Sequence, residues 1–129
     1  MSRNHFSELS PCEALIMKLI WEAPQDMAVQ ELIDKLREDH EKEYARTTVV
    51  TFVGKLKDKR FVDTIRKGKT ALIHPLRSRD EYRIEVLQEE ADFWYNGDVF
   101  EMISSLIESQ DLTEDQVKKL KKALTAKNK

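Results

Sequence analysis

The sequence predicts a mainly α protein with a small β component, an α+β fold in two parts. Three observations predict it. Apolar residues recur every three or four positions in six segments, which is the period of a helix face. Between residues 61 and 75 the period shortens to two, which is typical of strands. Only three Gly and three Pro occur in 129 residues, of which 36% are charged, a composition typical of helix-rich globular chains.

The first helix is predicted to begin at Ser10. Ser10 and Glu13 have the spacing of a capping box, and Pro11 stands at the first helical position, where its missing N–H costs nothing. An apolar stripe over residues 15–20 follows, and Pro24 ends the helix. A second stripe at the same spacing predicts a helix from about Val29 to Glu38.

The third segment, ARTTVVTFVGKLKDKRF at 45–61, has β-type residues but a helical period. Its apolar residues fall at i, i+3, i+4 and i+7, which places them on one stripe of a helix: Val49, Phe52, Val53 and Leu56. Each β-branched residue costs this helix a few tenths of a kcal/mol, roughly, in side-chain freedom. Packing of the apolar stripe therefore has to hold the helix.

Two β-type runs follow the third helix, at 61–66 and 71–75. They are separated by residues 67–70, a hairpin loop that contains Gly68 and carries two lysines. Three helices followed by a hairpin with a basic tip are the elements of a winged helix-turn-helix, with a two- or three-stranded wing, from Ser10 to Leu76. We therefore predict a winged helix DNA-binding domain over residues 1–77.

Residues 78–129 are predicted to form a helical dimerisation domain. Asn96-Gly97 ends its first helix, Asp98 caps the second, and Thr113 opens the third with another capping-box pattern. These three helices have no sheet to pack on, so their apolar stripes are expected to bury against a second copy of the chain. The predicted interface residues are Trp94, Val99, Met102, Ile103, Leu106, Ile107, Leu120 and Leu124.

Charge is concentrated in one segment, although the net charge is only −2. Residues 45–77 hold nine Lys/Arg and two Asp and carry +7, whereas residues 1–44 carry −5 and residues 78–129 carry −4. A basic segment in an acidic chain is the usual footprint of a surface that binds a polyanion. A solvated charged face would show the same pattern.

The face of the third helix opposite its apolar stripe suits the major groove of DNA. It presents Thr47, Val50, Thr51, Gly54, Lys55 and Asp58. Short Thr and Val side chains allow close approach, and their methyl and hydroxyl groups match base edges and phosphates. Arg46 at the helix start is placed to reach a phosphate or a guanine, and Lys55 to reach the backbone. The wing cations are expected to meet flanking phosphates: Arg66, Lys67 and Lys69.

Composition excludes several classes of function. No apolar run approaches the roughly 20 residues that span a bilayer, and the first residues lack a secretory signal, so we expect a cytoplasmic protein without membrane contact. Cys12 is the single cysteine, and His5, His40 and His74 lie far apart in sequence, so no metal site is expected. No nucleophile is paired with a base and no phosphate loop occurs. We therefore expect no enzyme activity and no cofactor.

Two other functions are compatible with these patterns. A winged helix can serve as a protein-interaction module that binds an acidic partner, which predicts no affinity for double-stranded DNA. It can also be an accessory domain of an enzyme that acts on nucleic acids, which requires a larger chain.

The chain resembles the penicillinase-repressor family of bacterial repressors of beta-lactamase, methicillin-resistance and copper-transport genes. The likeness runs from LSPCEALIMKLIWE through ARTTVVTFVGKLKDKRFV to W-Y-N-G-D at 94–98 and D-L-T at 111–113. It implies a homodimer that binds a palindromic operator and blocks transcription. The operator contacts that it implies are Thr47, Thr48, Thr51 and Lys55, with support from Arg66, Lys67 and Lys69.

Three features of the chain depart from the family pattern. Members that respond to beta-lactams are cleaved at an Asn-Phe bond in the arm, where this chain has Ser105-Leu106. Members that respond to copper carry paired C-x-C motifs, and this chain has no cysteine after Cys12. Arg60 stands after the third helix where the family often has Gly, so an easy left-handed stop is missing. The resemblance therefore implies a repressor without naming its signal.

Overall fold

The structure, a computed structural model, describes residues 8–127, so His5 lies outside the described residues. Contacts divide the chain into two compact units, one up to Leu87 and the other from Gln88 onward. The predicted boundary after residue 77 does not coincide with this division, and as a functional boundary it stays a prediction.

The first unit combines three helices with a three-stranded antiparallel sheet, which confirms the predicted fold class. Its elements are α1 (Pro11–Glu22), β1 (Met27–Ala28), α2 (Val29–His40), α3 (Arg46–Asp58), β2 (Val62–Lys67), β3 (Thr70–Pro75) and the first half of α4 (Arg79–Trp94). The strand order is β1-β3-β2, with Ile73 of β3 opposite both Met27 and Thr64. Only β1 is not predicted from the sequence, because two residues show no period.

The core of the first unit forms where the apolar stripes of the helices meet the sheet. Ile16 and Met17 of α1, and Leu32 and Leu36 of α2, are fully buried. Fully buried apolar residues elsewhere in the unit are Met27, Val49, Leu56, Phe61, Val62 and Ile73. The predicted capping box at the start of α1 is confirmed, since Ser10 Oγ accepts from the Glu13 N–H and Glu13 Oε1 accepts from the Ser10 N–H. The helices therefore take the predicted orientation toward one core.

The buried Glu13 carboxylate ties the start of α1 to the end of α3. Glu13 is 2% exposed, and its Oε1 accepts a hydrogen bond from Lys59 Nζ at 2.6 Å. Burial raises the pKa of Glu13, but the hydrogen bond from Lys59, the Ser10 N–H and the Lys59 charge outweigh it. The net result is a pKa below the ordinary value of 4.5, so Glu13 stays ionised in the folded protein at neutral pH.

We expect Lys59→Met to destabilise the first unit by about 1–3 kcal/mol, because it leaves the Glu13 carboxylate buried without its cation. The pKa of Glu13 is lower in the folded than in the unfolded chain, so its stabilisation is present above pH 4.5 and is lost as the pH falls through the lowered pKa. Urea unfolding of both proteins above and below that pH measures the effect.

Lys57→Met is the matched control for this prediction, since Lys57 lies only two residues before Lys59, at the end of α3. Its pair with Asp63 at 3.7 Å is about half exposed on both sides, and such exposed pairs contribute roughly 0–1 kcal/mol. Equal losses in the two variants, or a Lys59→Met loss that does not shrink in acid, would contradict the role given to Glu13.

The third helix ends in a Schellman motif with Arg60 as its left-handed residue. The Phe61 N–H donates to the Leu56 carbonyl at 2.9 Å, and the Arg60 N–H donates to the Lys57 carbonyl at 3.0 Å. The φ of Arg60 is 65°. The helix thus stops in a left-handed turn even though glycine is absent, at a cost of about 1–2 kcal/mol for a residue with a side chain.

The hairpin is tighter than the predicted four-residue loop. Lys67 pairs with Thr70, so only Gly68 and Lys69 connect β2 to β3. Gly68 has a φ of 61°, which the first central residue of a type II′ turn requires. The lysines at 67 and 69 therefore lie at the end of the wing.

The second unit consists of the rest of α4, α5 (Val99–Glu108) and α6 (Glu114–Lys127). The predicted helix limits are confirmed. Asn96 and Gly97 have φ values of 52° and 84° after the end of α4, Asp98 Oδ1 accepts from the Glu101 N–H, and Thr113 forms its capping box with Gln116. In residues 8–127 no helix is both long and apolar enough to cross a membrane.

Candidate nucleic-acid interface and exposed apolar surface

The outward face of α3 is made of small and basic side chains. Thr47, Val50, Thr51 and Lys55 are exposed, whereas Val49, Val53 and Leu56 on the other side are buried. The orientation predicted for this helix is therefore confirmed. Thr48 and Gly54 are half-buried at the border between the two faces.

The hydroxyl of Thr51 already has a donor role inside the helix. Thr51 Oγ1 donates to the Thr47 carbonyl oxygen at 2.9 Å, so toward an outside partner the oxygen acts as an acceptor. A hydroxyl acceptor matches the amino group of adenine or cytosine, and the threonine methyl matches the methyl group of thymine. Thr51 thus offers base-edge chemistry from an exposed position on α3.

The start of α3 is open to an anion. Ala45 supplies no side-chain cap, and no acidic residue lies in the first turn. Arg46, the first residue of α3, donates to Gln30 Oε1 at 3.1 Å. This hydrogen bond holds the guanidinium near the start of the helix and leaves its charge unpaired. Uncapped N–H groups and a cation at a helix start suit a phosphate.

The nine cations of residues 45–77 fall into two groups that the sequence does not distinguish. Three pair with carboxylates of the same unit: Lys57 with Asp63 at 3.7 Å, Lys59 with Glu13 at 2.6 Å and Arg77 with Glu8 at 3.1 Å. The other six are exposed and have no carboxylate within 4.0 Å among residues 8–127. These six are Arg46, Lys55, Arg60, Arg66, Lys67 and Lys69.

The cations of the basic segment therefore differ in whether they are paired inside the unit. Three cations pair within the unit, and six have no carboxylate partner among residues 8–127. Five of the six belong to the predicted DNA-binding set, and Arg60 is the addition.

Strand alternation separates the wing cations. Lys57 Nζ on α3 donates to Thr64 Oγ1 at 3.2 Å, so this face of β2 adjoins α3. Arg66 shares the face of Thr64, and Lys67 lies on the opposite face with Ile65. There Lys67 borders a depression lined also by Asp26 and Glu31. The structure thus places Arg66 on the α3 side of the wing and Lys67 on the other side, with Lys69 in the turn between them.

The eight residues predicted for a dimer interface all lie in the second unit, and none of them is buried. Six of them are 40–67% exposed: Trp94, Ile103, Leu106, Ile107, Leu120 and Leu124. Val99 and Met102 are half-buried. Phe100 is 83% exposed and is missing from the prediction, although its spacing to Ile103 and Ile107 is helical. Large apolar side chains that are this exposed are typical of interaction surfaces.

No metal site accompanies these surfaces in the part of the chain that the structure describes, since no three His, Cys, Asp or Glu side chains group there as metal ligands.

Fold and site together define a winged helix-turn-helix protein with an appended helical unit. The model of the penicillinase repressor family matches residues 9–126. The chain therefore belongs to the penicillinase repressor family, as the sequence motifs predict.

Individual relatives are distant but match over almost their full length. The methicillin resistance regulatory protein MecI of Staphylococcus aureus (strain N315) is 22% identical over 124 residues, which cover 96% of this chain and 98% of MecI. The MecI protein of Mammaliicoccus sciuri is 21% identical with the same coverage.

The solved structures that are similar to this one include those of two Bacillus proteins. A MarR family protein from Bacillus stearothermophilus matches 95% of this chain and 74% of its own, with a TM-score of 0.55 and 14% identity, which shows a shared fold. The Bacillus licheniformis BlaI monomer, solved in solution with the blaP half-operator, matches 60% of this chain and 90% of its own, with a TM-score of 0.48 and 21% identity.

Proposed function

We propose that this protein is a DNA-binding transcriptional repressor that acts in the cytoplasm as a homodimer on a palindromic operator. The observation that carries the proposal is the division of the basic segment, in which the unpaired cations lie on α3, on the wing and at the end of α3. Membership of a family whose relatives are regulatory proteins supports the same function.

The first step of the proposed mechanism is docking on the phosphate backbone. Cations that are unpaired in the free protein release counterions from DNA without first breaking an internal ion pair. Arg46 and the open start of α3 suit one phosphate, and Lys55 suits another farther along the groove. Arg66 and Lys69 suit the backbone beside the groove, so α3 and the wing would hold the unit in one register.

In the second step, the threonines of α3 recognise the bases. In a helix-turn-helix, the first residues of the recognition helix enter the major groove. Thr47, Thr48 and Thr51 occupy that part of α3, and their short side chains allow the helix to come close to base edges. Because each contact is a single hydrogen bond or a methyl contact, specificity would come from two half-sites together.

A second copy of the chain is the proposed cover for the apolar surface of the second unit. Charge supports this choice. Residues 84–117 contain ten Asp/Glu and no Lys/Arg, whereas residues 118–127 contain five Lys and no acid. Within residues 8–127 these lysines form no ion pair. Two copies can therefore bring the basic helix of one chain onto the acidic helices of the other, and two-fold symmetry satisfies both at once.

Retention of genomic DNA fragments on the purified protein tests the proposed function. We expect the retained fragments to share a two-fold symmetric sequence, because the symmetry of a dimer is mirrored in its site. Retention of no duplex at low salt would contradict DNA binding and would favour the protein-interaction module. A shared sequence without symmetry would contradict the homodimer.

Gly54→Ala tests whether DNA approaches α3 closely at this position, because it should change DNA affinity without destabilising the helix. A side chain added at Gly54 meets no atom within 4 Å, and alanine favours a helix interior by up to about 1 kcal/mol over glycine. We therefore expect a thermal midpoint that is unchanged or higher. Binding to the retained fragment should be weaker, because the added methyl group would stand between α3 and the groove. Fluorescence anisotropy measures the affinity.

Gln88→Ala is the control for this prediction, since Gln88 is an exposed residue on α4, outside the proposed contact surface. An alanine at Gly54 that leaves operator affinity unchanged would show that the groove does not approach this part of α3.

A further inference from the structure

A groove runs along the first unit between α1 and the first half of α4. Its volume is about 500 Å³, within the range of roughly 300–1,000 Å³ that small-molecule sites occupy. The apolar part of its lining comes from Trp21, Tyr82, Val86 and Leu87. All of its lining residues belong to the first unit, and the proposed DNA contacts do not use them.

Two aromatic rings, those of Trp21 and Tyr82, line the groove. The ring centroids of Trp21 and Tyr82 lie 5.7 Å apart at an angle of 36°. The Trp21 indole N–H donates to the Arg77 carbonyl oxygen at 2.9 Å, so the polar atom of that ring needs no water. Leu87 is 48% exposed at the groove. A ligand ring that covers these side chains would gain apolar burial and ring contacts.

The rim of the groove has an excess of positive charge. Lys18, Arg79 and Arg83 line it, against Glu22 as the one lining acid. The nearby Asp80, which does not line the groove, lies 3.6 Å from Arg79 and 3.4 Å from Arg83. Its side chain is 80% exposed, and such exposed pairs are weak. The three cations, Glu22 and Asp80 together carry one net positive charge. A ligand carboxylate can take the place of Asp80 beside the two arginines.

We infer that this groove binds a small organic anion with a planar apolar body, of the aryl carboxylate class. α4 continues as one helix from Arg79 to Trp94, so the ligand contacts a helix that enters both units. A regulatory role, which rests on the proposed function, follows from linkage: a ligand that changes operator affinity has its own affinity changed by the same factor.

Calorimetric titration of the full chain with 1-naphthoate, without DNA, tests the site. We expect saturable binding that is at least about tenfold tighter than binding of the neutral isostere 1-naphthamide, since loss of one charge contact is worth roughly 1.4 kcal/mol or more. Leu87→Glu, which adds a negative charge at the groove, is expected to weaken naphthoate binding at least about tenfold.

Ile84→Glu is the matched control, because Ile84 is 58% exposed on the same helix but does not line the groove. It should leave naphthoate binding unchanged. Equal affinities for naphthoate and naphthamide, equal weakening in the two variants, or naphthoate binding that falls as protein concentration rises would overturn the inference. The last result would mean that a second copy covers the groove.

The regulatory part has a separate readout. Operator affinity of the wild-type chain is measured with and without saturating naphthoate, and Leu87→Glu is measured in parallel. We expect naphthoate to change the wild-type affinity and to leave that of the variant unchanged at the same concentration. Binding of naphthoate without any change in operator affinity would overturn regulation alone. Failure to retain DNA would overturn the proposed function and leave the site intact.

Discussion

Replacing Arg66, Lys67 and Lys69 together by alanine is expected to weaken binding to every duplex, whatever its sequence. The three cations are exposed and have no carboxylate partner among residues 8–127, so their loss removes phosphate contacts without breaking the fold. Each lost contact lowers the slope of log affinity against log salt by about 0.9. The slope should therefore fall by up to about 2.7 for each protomer, as measured by anisotropy at several salt concentrations.

The control for the wing is the double replacement of Lys18 and Lys35 by alanine. These two lysines are also exposed, but they lie on α1 and α2, outside the proposed DNA and dimer contacts, and their loss should leave the salt slope of DNA binding unchanged. An unchanged slope in the wing variant would refute wing contact. Single replacements then rank the wing residues, with Arg66 on the α3 side expected to matter more than Lys67.

Leu106→Asp is expected to split the dimer. Leu106 is 55% exposed in the single chain, so the substitution leaves the fold of the protomer intact. In the dimer it would bury an unpaired charge from each chain, and an unpaired buried charge costs about 3–5 kcal/mol. The dimer dissociation constant should therefore rise by two orders of magnitude or more, roughly, and sedimentation should show a monomer.

Ser104→Asp is the control, because it adds the same charge to an exposed position of the same helix outside the apolar stripe. It should sediment as the wild type does. A dimer that persists in Leu106→Asp would show that another surface joins the two copies. Loss of operator affinity in Leu106→Asp, with the wing intact, would in turn show that both half-sites are needed.

Local patterns in the sequence predict most of the fold. The period of Val49, Val53 and Leu56 orients α3 correctly although the residues favour strands, because burial of the apolar stripe outweighs side-chain propensity. The capping boxes at Ser10 and Thr113 mark helix starts to the residue, since they depend only on neighbours three positions apart. The strand β1 escapes prediction, since its two residues exist as a strand only through pairing with β3.

The candidate site is predictable in its residue types but not in its partners. Lys59 and Lys69 look alike in sequence, and only the approach of Glu13 from 46 positions away separates a structural lysine from a free one. Arg77 is removed from the basic surface in the same way, because its guanidinium stacks 4.0 Å from the Phe61 ring centroid and pairs with Glu8. Contacts between distant parts of the chain decide these roles, and no local spacing reports them.

Tyr82 of α4 belongs to the core of the first unit, although it lies beyond the domain boundary predicted after residue 77. Its side chain is 9% exposed, and its ring lies 5.2 Å from Phe61 and 5.7 Å from Trp21. A fragment truncated after residue 77 would lose that ring and open both aromatic neighbours to water, whereas a fragment extended to Leu87 would keep them covered. The smallest independently folding piece of this repressor is thus expected to end inside a helix, which limits where evolution or an engineer can exchange one half for another.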